Sequence, residues 1–535
     1  MPSQPRAATS SLGFLIGLGL VVAVVCLIPR WDRGYSAGRY LWAEDGSVFI
    51  NQAQRLGLES LWTPYRGYIH AYPRLVALVG TLFELRAQPY VFLVGWAFAF
   101  AVMTATMVAR ASRLGLGRFQ VWVLVALVAL QPNDEVFFNI TNSQSLLGTA
   151  LATWTLSSRS RRSSLPECIF LALLSLTGPF SIWIAPLLLL RGLLKGESRQ
   201  IASYLVLVCA AIQAGLLLSS NRFSQAAGLD RDLGTWLGAF GSMVLFGARR
   251  PGTLAAACVF WVAFLCALLR PRGDESTDGV VRRRVAWLTL AAAMLSVLAA
   301  FYTAKAHPTG ILTPESGGRY TWIPYSLVFF AAAIASVGLT RLWYLTVSTL
   351  GLICCAHFQV AVRPDLRFES YVNLARYRSV IIPIGPEWRP RYPGWHIEST
   401  DPGNDPSSIL EPYSIEDVAV ATDGLALERS GSALAVQSAT ADPALVLTRP
   451  IVCPGASDIG IEIKMARNRE GLMQLFWDPS GDFNAAHSIR RFYPAGEIQA
   501  QFAFPAVADG TYVRFDPLEQ PGEARISEIL VYCLP

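Results

Sequence analysis

The sequence predicts a polytopic α-helical membrane protein of about 11 spans, followed by an all-β sandwich or jelly-roll domain. Two features of the composition carry this prediction. Of the 535 residues, 53% are hydrophobic and only 15% are charged, whereas soluble globular proteins carry about 25% charged residues. Residues 401–535 hold 19 acidic and 9 basic side chains (net −10), while residues 1–400 hold 19 acidic and 35 basic (net +16). Two bodies in different solvents therefore share one chain, and disordered, collagen-like and coiled-coil proteins are excluded.

Apolar runs give the order of the expected spans. The run 11–28 is long enough to cross a bilayer, and no small-x-small cleavage site follows it, so we expect an uncleaved first span. Residues 73–84 are too short to span and are expected to form a helix along the interface. Gly178-Pro179 separates two short runs in the manner of half-helices around a cavity. The other runs are 88–109, 119–131, 145–157, 166–177, 180–190, 200–219, 253–269, 285–303, 321–338 and 342–360.

Basic residues predict the orientation of the spans. With the N-terminus inside, every inside loop is basic, as the positive-inside rule expects. The acidic C-terminal region then lies outside, which predicts a multi-pass membrane protein with an extracytoplasmic C-terminal domain, in a compartment such as a periplasm. Because the basic excess follows from topology, membrane lipids are expected as partners and nucleic acid is not. Some arginines of the outer loops oppose the rule, and binding an anionic ligand is one reason for them: Arg30, Arg33, Arg39, Arg55, Arg66, Arg249 and Arg250.

The region after the spans has the pattern of a β-sandwich. Residues 1–395 are expected to form the membrane domain, 396–415 a linker rich in Pro, Gly, Asp and Ser, and 416–535 the β domain. Gly, Pro, Asp and Asn separate short alternating or apolar runs, which is typical of strands in a sandwich. The predicted strands are 417–421, 424–428, 433–437, 444–447, 458–464, 472–477, 498–504, 511–515 and 525–532.

Two groups of side chains in the β domain attract functional predictions. Cys453 and Cys533 are the only cysteines of the acidic region, which predicts a disulfide formed in an oxidising compartment; two unpaired buried thiols are the alternative. Six side chains could stack on and grip a sugar, or could instead pack the sandwich and its loops: Trp477, Phe483, His487, Arg490, Arg491 and Tyr493.

Glu44 and Asp45, in LWAEDGSVF, follow the first span closely. Adjacent carboxylates beside a bilayer repel one another and lose solvation, which makes one of them a stronger base. Such a group suits general-base catalysis. Alternatively, one carboxylate pairs with Arg39 or Arg55 and holds the loop.

Further polar groups lie in the same outer loops. The segment TPYRGYIHAYPR supplies Tyr65, Tyr68 and three residues at i+4 spacing that could share one helical face, namely Arg66, His70 and Arg74. The segment PNDEVFFNITNSQ is either a solvated turn or a sugar-binding wall, and for Asp134-Glu135 the solvated turn is favoured. Its other candidates are Asn139 and Asn142.

The loop AKAHPTGILTPESGGRYTW adds Lys305, His307, Arg319 and Tyr320. An arginine is well shaped for two-pronged contact with phosphate, although Arg319 could instead extend to the lipid headgroups. No carboxylate set clearly requires a metal. No cofactor is therefore assigned, and a divalent cation is left open.

Several of these motifs resemble a family. WAEDGSVFINQA, GLESLWTPYRGYIHAYPRL, LTGPFSIWIAPLLLLR, GGRYTWIPYSLVF and SVIIPIGPEW are similar to a bacterial branch of the GT-C class, the multi-spanning glycosyltransferases that use lipid-linked sugars. The resemblance extends over residues 10–395 and implies transfer of a sugar from a polyprenyl-phosphate donor to a glycan or glycolipid acceptor outside the cytoplasmic membrane.

The resemblance also implies roles for the candidate residues. Asp45 would deprotonate the acceptor hydroxyl, with Glu44 beside it. The donor phosphate would be held by Arg319, Tyr320, Arg66, Arg74 and Lys305. The substrates would contact Tyr65, Tyr68, His70, Glu135, Asn139, Asn142 and His307.

Two other functions remain open. A transporter or flippase for lipid-linked glycans would carry charged residues deep within its spans, but Glu84 and Glu167 lie near segment ends. A non-catalytic scaffold would bind surface polysaccharide through its β domain. The donor sugar and the acceptor are not assigned by the sequence.

Overall fold

The structure is a computed structural model of the chain. It describes residues 12–31, 39–157, 163–195, 201–220, 232–247, 250–270, 277–303, 314–358, 360, 365–386, 392–400, 402–411, 413–420, 422, 425–431, 433–439, 443–507 and 509–535. Two of the predicted site residues, Lys305 and His307, lie outside this part of the chain.

The chain divides into two compact units. The helical unit comprises Met1–Arg33, Leu56–Val79 and Val91–Val362, and the β unit comprises Gly34–Arg55, Gly80–Tyr90 and Arg363–Pro535. This division differs from the expected boundaries at residues 395 and 415, because two segments from the first hundred residues pack with the C-terminal region. Glu44 and Asp45 consequently belong to the β unit.

The described residues form fifteen α-helices. They are α1 Leu12–Leu27, α2 Asn51–Leu56, α3 Ala71–Gly80, α4 Gln88–Arg113, α5 Arg118–Ala129, α6 Ser143–Ser157, α7 Leu165–Ser175, α8 Phe180–Lys195, α9 Ile201–Ser219, α10 Leu233–Val244, α11 Pro251–Leu269, α12 Thr277–Thr303, α13 Pro314–Ala335, α14 Thr340–Ala356 and α15 Phe368–Ala375. Every predicted span coincides with one of these helices. Helix α10 was missed, because its glycines at 234, 238 and 241 interrupt the apolar pattern.

Five helices of the described residues are long and apolar enough to cross a membrane: Leu12–Arg30, Leu85–Arg113, Ile201–Ser219, Pro251–Leu269 and Asp278–Thr303. Shorter apolar helices, such as Leu165–Ser175 and Leu233–Val244, lie between them. The structure therefore confirms a helical region with apolar helices long enough to span a membrane. The number of about 11 spans stays a prediction. Within the unit, α12 packs along α13, α11 against α14, and α1 against α5.

Thirteen strands are described in the β unit. They are β1 Val380–Pro383, β2 His396–Ser399, β3 Leu410–Glu411, β4 Val418–Val420, β5 Leu425–Ser430, β6 Ala433–Ser438, β7 Leu445–Leu447, β8 Asp458–Arg467, β9 Gly471–Asp478, β10 Ser488–Tyr493, β11 Gly496–Pro505, β12 Tyr512–Asp516 and β13 Gly522–Leu534. All nine predicted strands are present. The expected linker 396–415 instead contains β2 and β3.

The strands form a two-stranded sheet and a sandwich of two larger antiparallel sheets. Strands β1 and β2 pair with each other. One large sheet has the order β10-β9-β12-β7-β4, and the other has the order β11-β8-β13-β6-β5, with β3 pairing with β13. Trp477 of the first stacks on Phe504 of the second with ring centroids 4.9 Å apart. Residues of β9 alternate between buried and half-buried, as a sheet with one covered face requires.

Several side chains that the sequence singled out lie in the interior of the sandwich. Cys453 and Cys533 form a disulfide, with their Cα atoms 5.3 Å apart. Trp477, Arg491 and Tyr493 are buried. These three side chains therefore pack the domain, as the alternative interpretation expects, and are not available to stack on a sugar.

Candidate functional site

The acidic turn, residues 42–50, holds Asp45 in an uncommon backbone conformation. Asp45 opens a π-helix, Asp45–Ile50, directly after Glu44. Ala43 has a positive φ of 36°, which is unfavourable for a residue with a side chain. The backbone N–H of Trp42 donates to Asp45 Oδ2 at 3.2 Å, and Asp45 is 2% exposed. Short π-helices and strained residues cluster at functional sites.

Arg39 pairs outside the acidic turn. Its guanidinium lies 3.3 Å from Glu369 and 3.6 Å from Asp365, all within the β unit. The alternative in which Arg39 pairs with Glu44 or Asp45 is therefore wrong, because Arg39 pairs with Asp365 and Glu369 instead.

A tight turn in the helical unit brings together four predicted residues. Tyr65 and Tyr68 pair through two backbone hydrogen bonds of 3.0 and 3.3 Å. Arg66 and Gly67 between them have φ values of 54° and 86°, as in a type I′ turn. The His70 ring is 4.6 Å from the Tyr68 ring and 5.8 Å from the Tyr65 ring. Arg66 is an exposed residue at the tip of this aromatic turn (residues 65–70).

Gln213, in the middle of α9, anchors the end of the aromatic turn at Ile69. Its Oε1 accepts from the backbone N–H of Ile69 at 2.8 Å. Its Nε2 donates to the carbonyls of Ile69 at 3.0 Å and Gly178 at 3.1 Å. The chain thereby crosses the break between α7 and α8, where Ala71 N–H donates to Leu176 O at 3.1 Å. Sequence reasoning missed Gln213; a lone amide in an apolar span was the available signal.

Arg74 does not share a helical face with Arg66 and His70. Helix α3 begins at Ala71, so only Arg74 of the three is helical. It is 1% exposed and donates through Nη1 to the carbonyl of Ser60 at 2.7 Å. Burial lowers the pKa of Arg74 to about 10. Arg74 thus makes an internal contact in the structure, and its contact with a donor phosphate stays a prediction.

The loop between α5 and α6 is buried and is stabilised by hydrogen bonds between its own residues. Asp134 and Glu135 are 3% and 4% exposed, so the expectation of a solvated turn is wrong. Asn139 and Asn142 donate to the carbonyl of Glu135 at 2.6 and 3.0 Å. The N–H of Asn142 donates to Asn139 Oδ1 at 2.9 Å. Both predicted sugar ligands therefore stabilise the loop backbone.

Arg319 and Glu135, predicted as separate ligands, contact each other. Arg319 Nη1 lies 2.9 Å from Glu135 Oε1, and the Arg319 backbone N–H donates to Oε2 at 3.0 Å. A Cβ atom at Gly318 would lie 2.9 Å from Asn133 Oδ1 and 3.2 Å from Glu135 Cβ, so glycine favours the close approach of α13 to the loop. The guanidinium also lies 5.1 Å from the Tyr320 ring. Arg319 keeps 35% of its side chain exposed.

Arg30, one of the arginines that opposes the positive-inside rule, is also used internally. Its side chain is 1% exposed. It donates to the carbonyls of Ala129, Gln131 and Asn133, where α5 ends. The last carbonyls of a helix have no partner within the helix, and the planar guanidinium supplies several donors. Arg30 therefore caps the C-terminal end of α5. This contact explains an arginine at this position without an anionic ligand.

Among the residues that the structure describes, no group of three or more His, Cys, Asp or Glu side chains could hold a metal ion.

Comparisons with known proteins give remote likenesses. No family model and no curated protein matches the chain. The arabinosyltransferase EmbB from Mycobacterium smegmatis is similar at a TM-score of 0.28 and 14% identity, covering 100% of this chain and 65% of that chain. A carbohydrate binding module from Cellvibrio mixtus lichenase 5A is similar at a TM-score of 0.19 and 17% identity, covering 23% of this chain and 97% of the module. The xylan binding module CBM86 from Roseburia intestinalis has a TM-score of 0.19 and 13% identity over 24% of this chain and 96% of the module. At TM-scores this low, the likenesses carry no argument for a fold or an activity.

Proposed function

We propose that this protein is a membrane glycosyltransferase that moves a sugar from a polyprenyl-phosphate donor to a cell-envelope glycan or lipid-linked acceptor, with Asp45 as general base. One observation supports this proposal above the others: the buried carboxylate of Asp45 stands at the start of a π-helix, two residues after a strained Ala43. Strain of this kind persists only where the surroundings enforce it, and strained residues cluster at functional sites.

The chemistry assigns one task to each type of group. Asp45 accepts the proton of the acceptor hydroxyl as its oxygen attacks the anomeric carbon. The bond from the anomeric carbon to the phosphate oxygen breaks, and polyprenyl phosphate leaves with the electron pair. Cations at the leaving phosphate stabilise the charge that develops there. Arg66 and Arg319 are the candidates for this task, since the first is exposed and the second keeps 35% of its side chain exposed. Glu44 adjoins the base. The proposed site is periplasmic, in an inner-membrane protein.

The test uses full-length protein in lipid nanodiscs and a panel of farnesyl-phosphate sugars carrying glucose, galactose, mannose or arabinose, with cell-envelope glycan as acceptor. Asp45→Asn keeps the shape of the side chain but removes the base, so we expect glycan labelling to fall by roughly a hundredfold or more. Asp405→Asn, an exposed acid in the same unit, is the matched control and should retain full labelling. Full activity in Asp45→Asn would disprove the assignment of Asp45 as the base, and full activity in Glu44→Gln as well would exclude both carboxylates.

The same assay separates the other functions. Release of farnesyl phosphate without a labelled glycan indicates hydrolysis. Passage of the donor across the bilayer of a proteoliposome without bond cleavage indicates a flippase. Glycan binding by wild-type protein that turns over none of the four donors indicates a scaffold. Each of these three results contradicts the proposed transfer.

A further inference from the structure

The acidic turn is fastened to the small sheet of β1 and β2, within the β unit. Its first contact is made by the backbone. The N–H of Ala43 donates to the carbonyl of Gly385, and the N–H of Gly385 donates to the carbonyl of Leu41 at 3.0 Å. The residues just before Asp45 thus pair, strand-like, with the residues just after β1.

The second contact is close packing at Gly46, the residue after Asp45. A Cβ atom at this position would lie 2.6 Å from the side chains of both Ile384 and Ile397. Real Cβ atoms do not approach other heavy atoms this closely, so the π-helix can lie on these isoleucines only because position 46 is glycine.

The third contact is made by two polar side chains of the turn and of α2. Ser47 Oγ accepts from the N–H of His396 at 2.7 Å and donates to its carbonyl at 2.9 Å. Asn51 Oδ1 accepts from the N–H of Glu398 at 3.1 Å, and Asn51 Nδ2 lies 3.4 Å from the His396 carbonyl. Residues four apart on a helix lie on the same side. Ser47 and Asn51 together therefore satisfy backbone groups along one edge of β2, as a neighbouring strand would.

We infer that Ser47 and Asn51 are positioning residues for Asp45, and that β1 and β2 are a required part of the catalytic apparatus. This inference rests on the proposed function. The strained conformation at Ala43 is unfavourable by itself, so the contacts on both sides must enforce it. Loss of the hydroxyl of Ser47 or the amide of Asn51 would let the turn relax, and a shift of about 1 Å at a catalytic group can cost roughly a hundredfold in rate.

The experiment compares Ser47→Ala and Asn51→Ala with wild type in the nanodisc assay with farnesyl-phosphate sugars. We expect kcat per folded molecule to fall by roughly tenfold or more, with the KM for the donor unchanged. Hydrogen exchange of the amides at 42–50 should become faster in both variants. Ser47→Thr keeps the hydroxyl and should restore kcat. Ser480→Ala, which removes a hydroxyl that donates to Asp478, is the matched control and should leave kcat unchanged.

The outcomes distinguish this inference from the proposed function. If Asp45→Asn is inactive but both alanine variants keep wild-type kcat, the positioning role is wrong. Unchanged hydrogen exchange at 42–50 also overturns it, whatever the activity. If Asp45→Asn is fully active, the base assignment fails, while hydrogen exchange still decides whether Ser47 and Asn51 hold the turn. Asn51→Ala serves alone if Ser47→Ala does not fold.

Discussion

The guanidinium of Arg319 contacts the carboxylate of Glu135 across 2.9 Å, with only 1% of the Glu135 side chain exposed against 35% for Arg319. The two residues lie 184 positions apart in the sequence. Because Glu135 is buried and Arg319 is partly exposed, the Glu135 carboxylate should need its partner more than the Arg319 cation does. Arg319 can be hydrated if the contact is lost, whereas Glu135 cannot.

We predict that replacing the arginine costs more than replacing the acid. Arg319→Gln leaves a buried carboxylate without this cation and should lower the free energy of unfolding by about 3 kcal/mol. Glu135→Gln keeps an oxygen for the Arg319 N–H and leaves a partly hydrated cation, so the loss should be about 1 kcal/mol. Chemical denaturation in detergent measures both variants. An equal loss, or a larger loss for Glu135→Gln, would contradict the predicted dependence.

We predict that replacing Arg30 even by lysine lowers the stability of the protein. Its guanidinium donates to the carbonyls of Ala129, Gln131 and Asn133, and a lysine ammonium cannot match this planar fork. Arg30→Lys should therefore lower the free energy of unfolding by about 3 kcal/mol, because buried carbonyls lose their donors. Arg118→Lys, at an exposed arginine that begins α5, should change it by less than about 0.5 kcal/mol. Equal stability of the two variants would rule out the capping role.

The amide of Gln213 should stabilise the backbone near the aromatic turn. Gln213→Leu removes its hydrogen bonds to Ile69 and Gly178 in a buried place, which should cost about 2 kcal/mol and speed hydrogen exchange at Ile69. Gln120→Leu removes an exposed hydrogen bond to the Gly117 N–H, which water can replace, so it should cost about 0.5 kcal/mol or less. Unchanged exchange at Ile69 would show that Gln213 does not anchor the turn.

Asp478 should make the β unit sensitive to acid. Hydrogen bonds from the Ser480 hydroxyl and N–H, together with the Asp482 N–H and His487, lower the pKa of Asp478 to about 2. Because the folded pKa lies below the unfolded value of about 4, this stabilisation is complete above pH 4 and is lost as the pH falls toward 2. Thermal unfolding between pH 5 and 2 should show a smaller acid-induced decrease in Asp478→Asn than in wild type. Parallel curves for the two proteins would refute this assignment.

Periodic patterns were sufficient to predict most elements of both units. Each predicted span coincides with a helix because a membrane span needs a continuous apolar run, which is visible in any single sequence. The nine predicted strands are likewise present, since alternation and turn residues mark strands locally. Strand β10 was missed because SIRRFY places two arginines side by side, which obscures the alternation.

Candidate side chains were predictable as types but not in their contacts. The sequence shows that Arg74 and Asn139 are polar residues beside apolar runs, on the side of the membrane where the ligands are expected. It does not show that Arg74 donates to the carbonyl of Ser60 or Asn139 to that of Glu135. Buried backbone carbonyls need donors, and which side chain supplies them depends on how distant segments meet.

The sequence by itself determined the classes of structure in this protein, the order of its helices and strands, and the candidate importance of Glu44 and Asp45. Only the tertiary structure decided that the turn holding these two residues packs with β1 and β2, some 340 positions later, and that Arg30 and Arg74 donate to internal carbonyls. The physical reason is the distance along the chain over which each property is set. Hydropathy periods are set by neighbours in the chain, whereas hydrogen-bond partners and burial are set by neighbours in space.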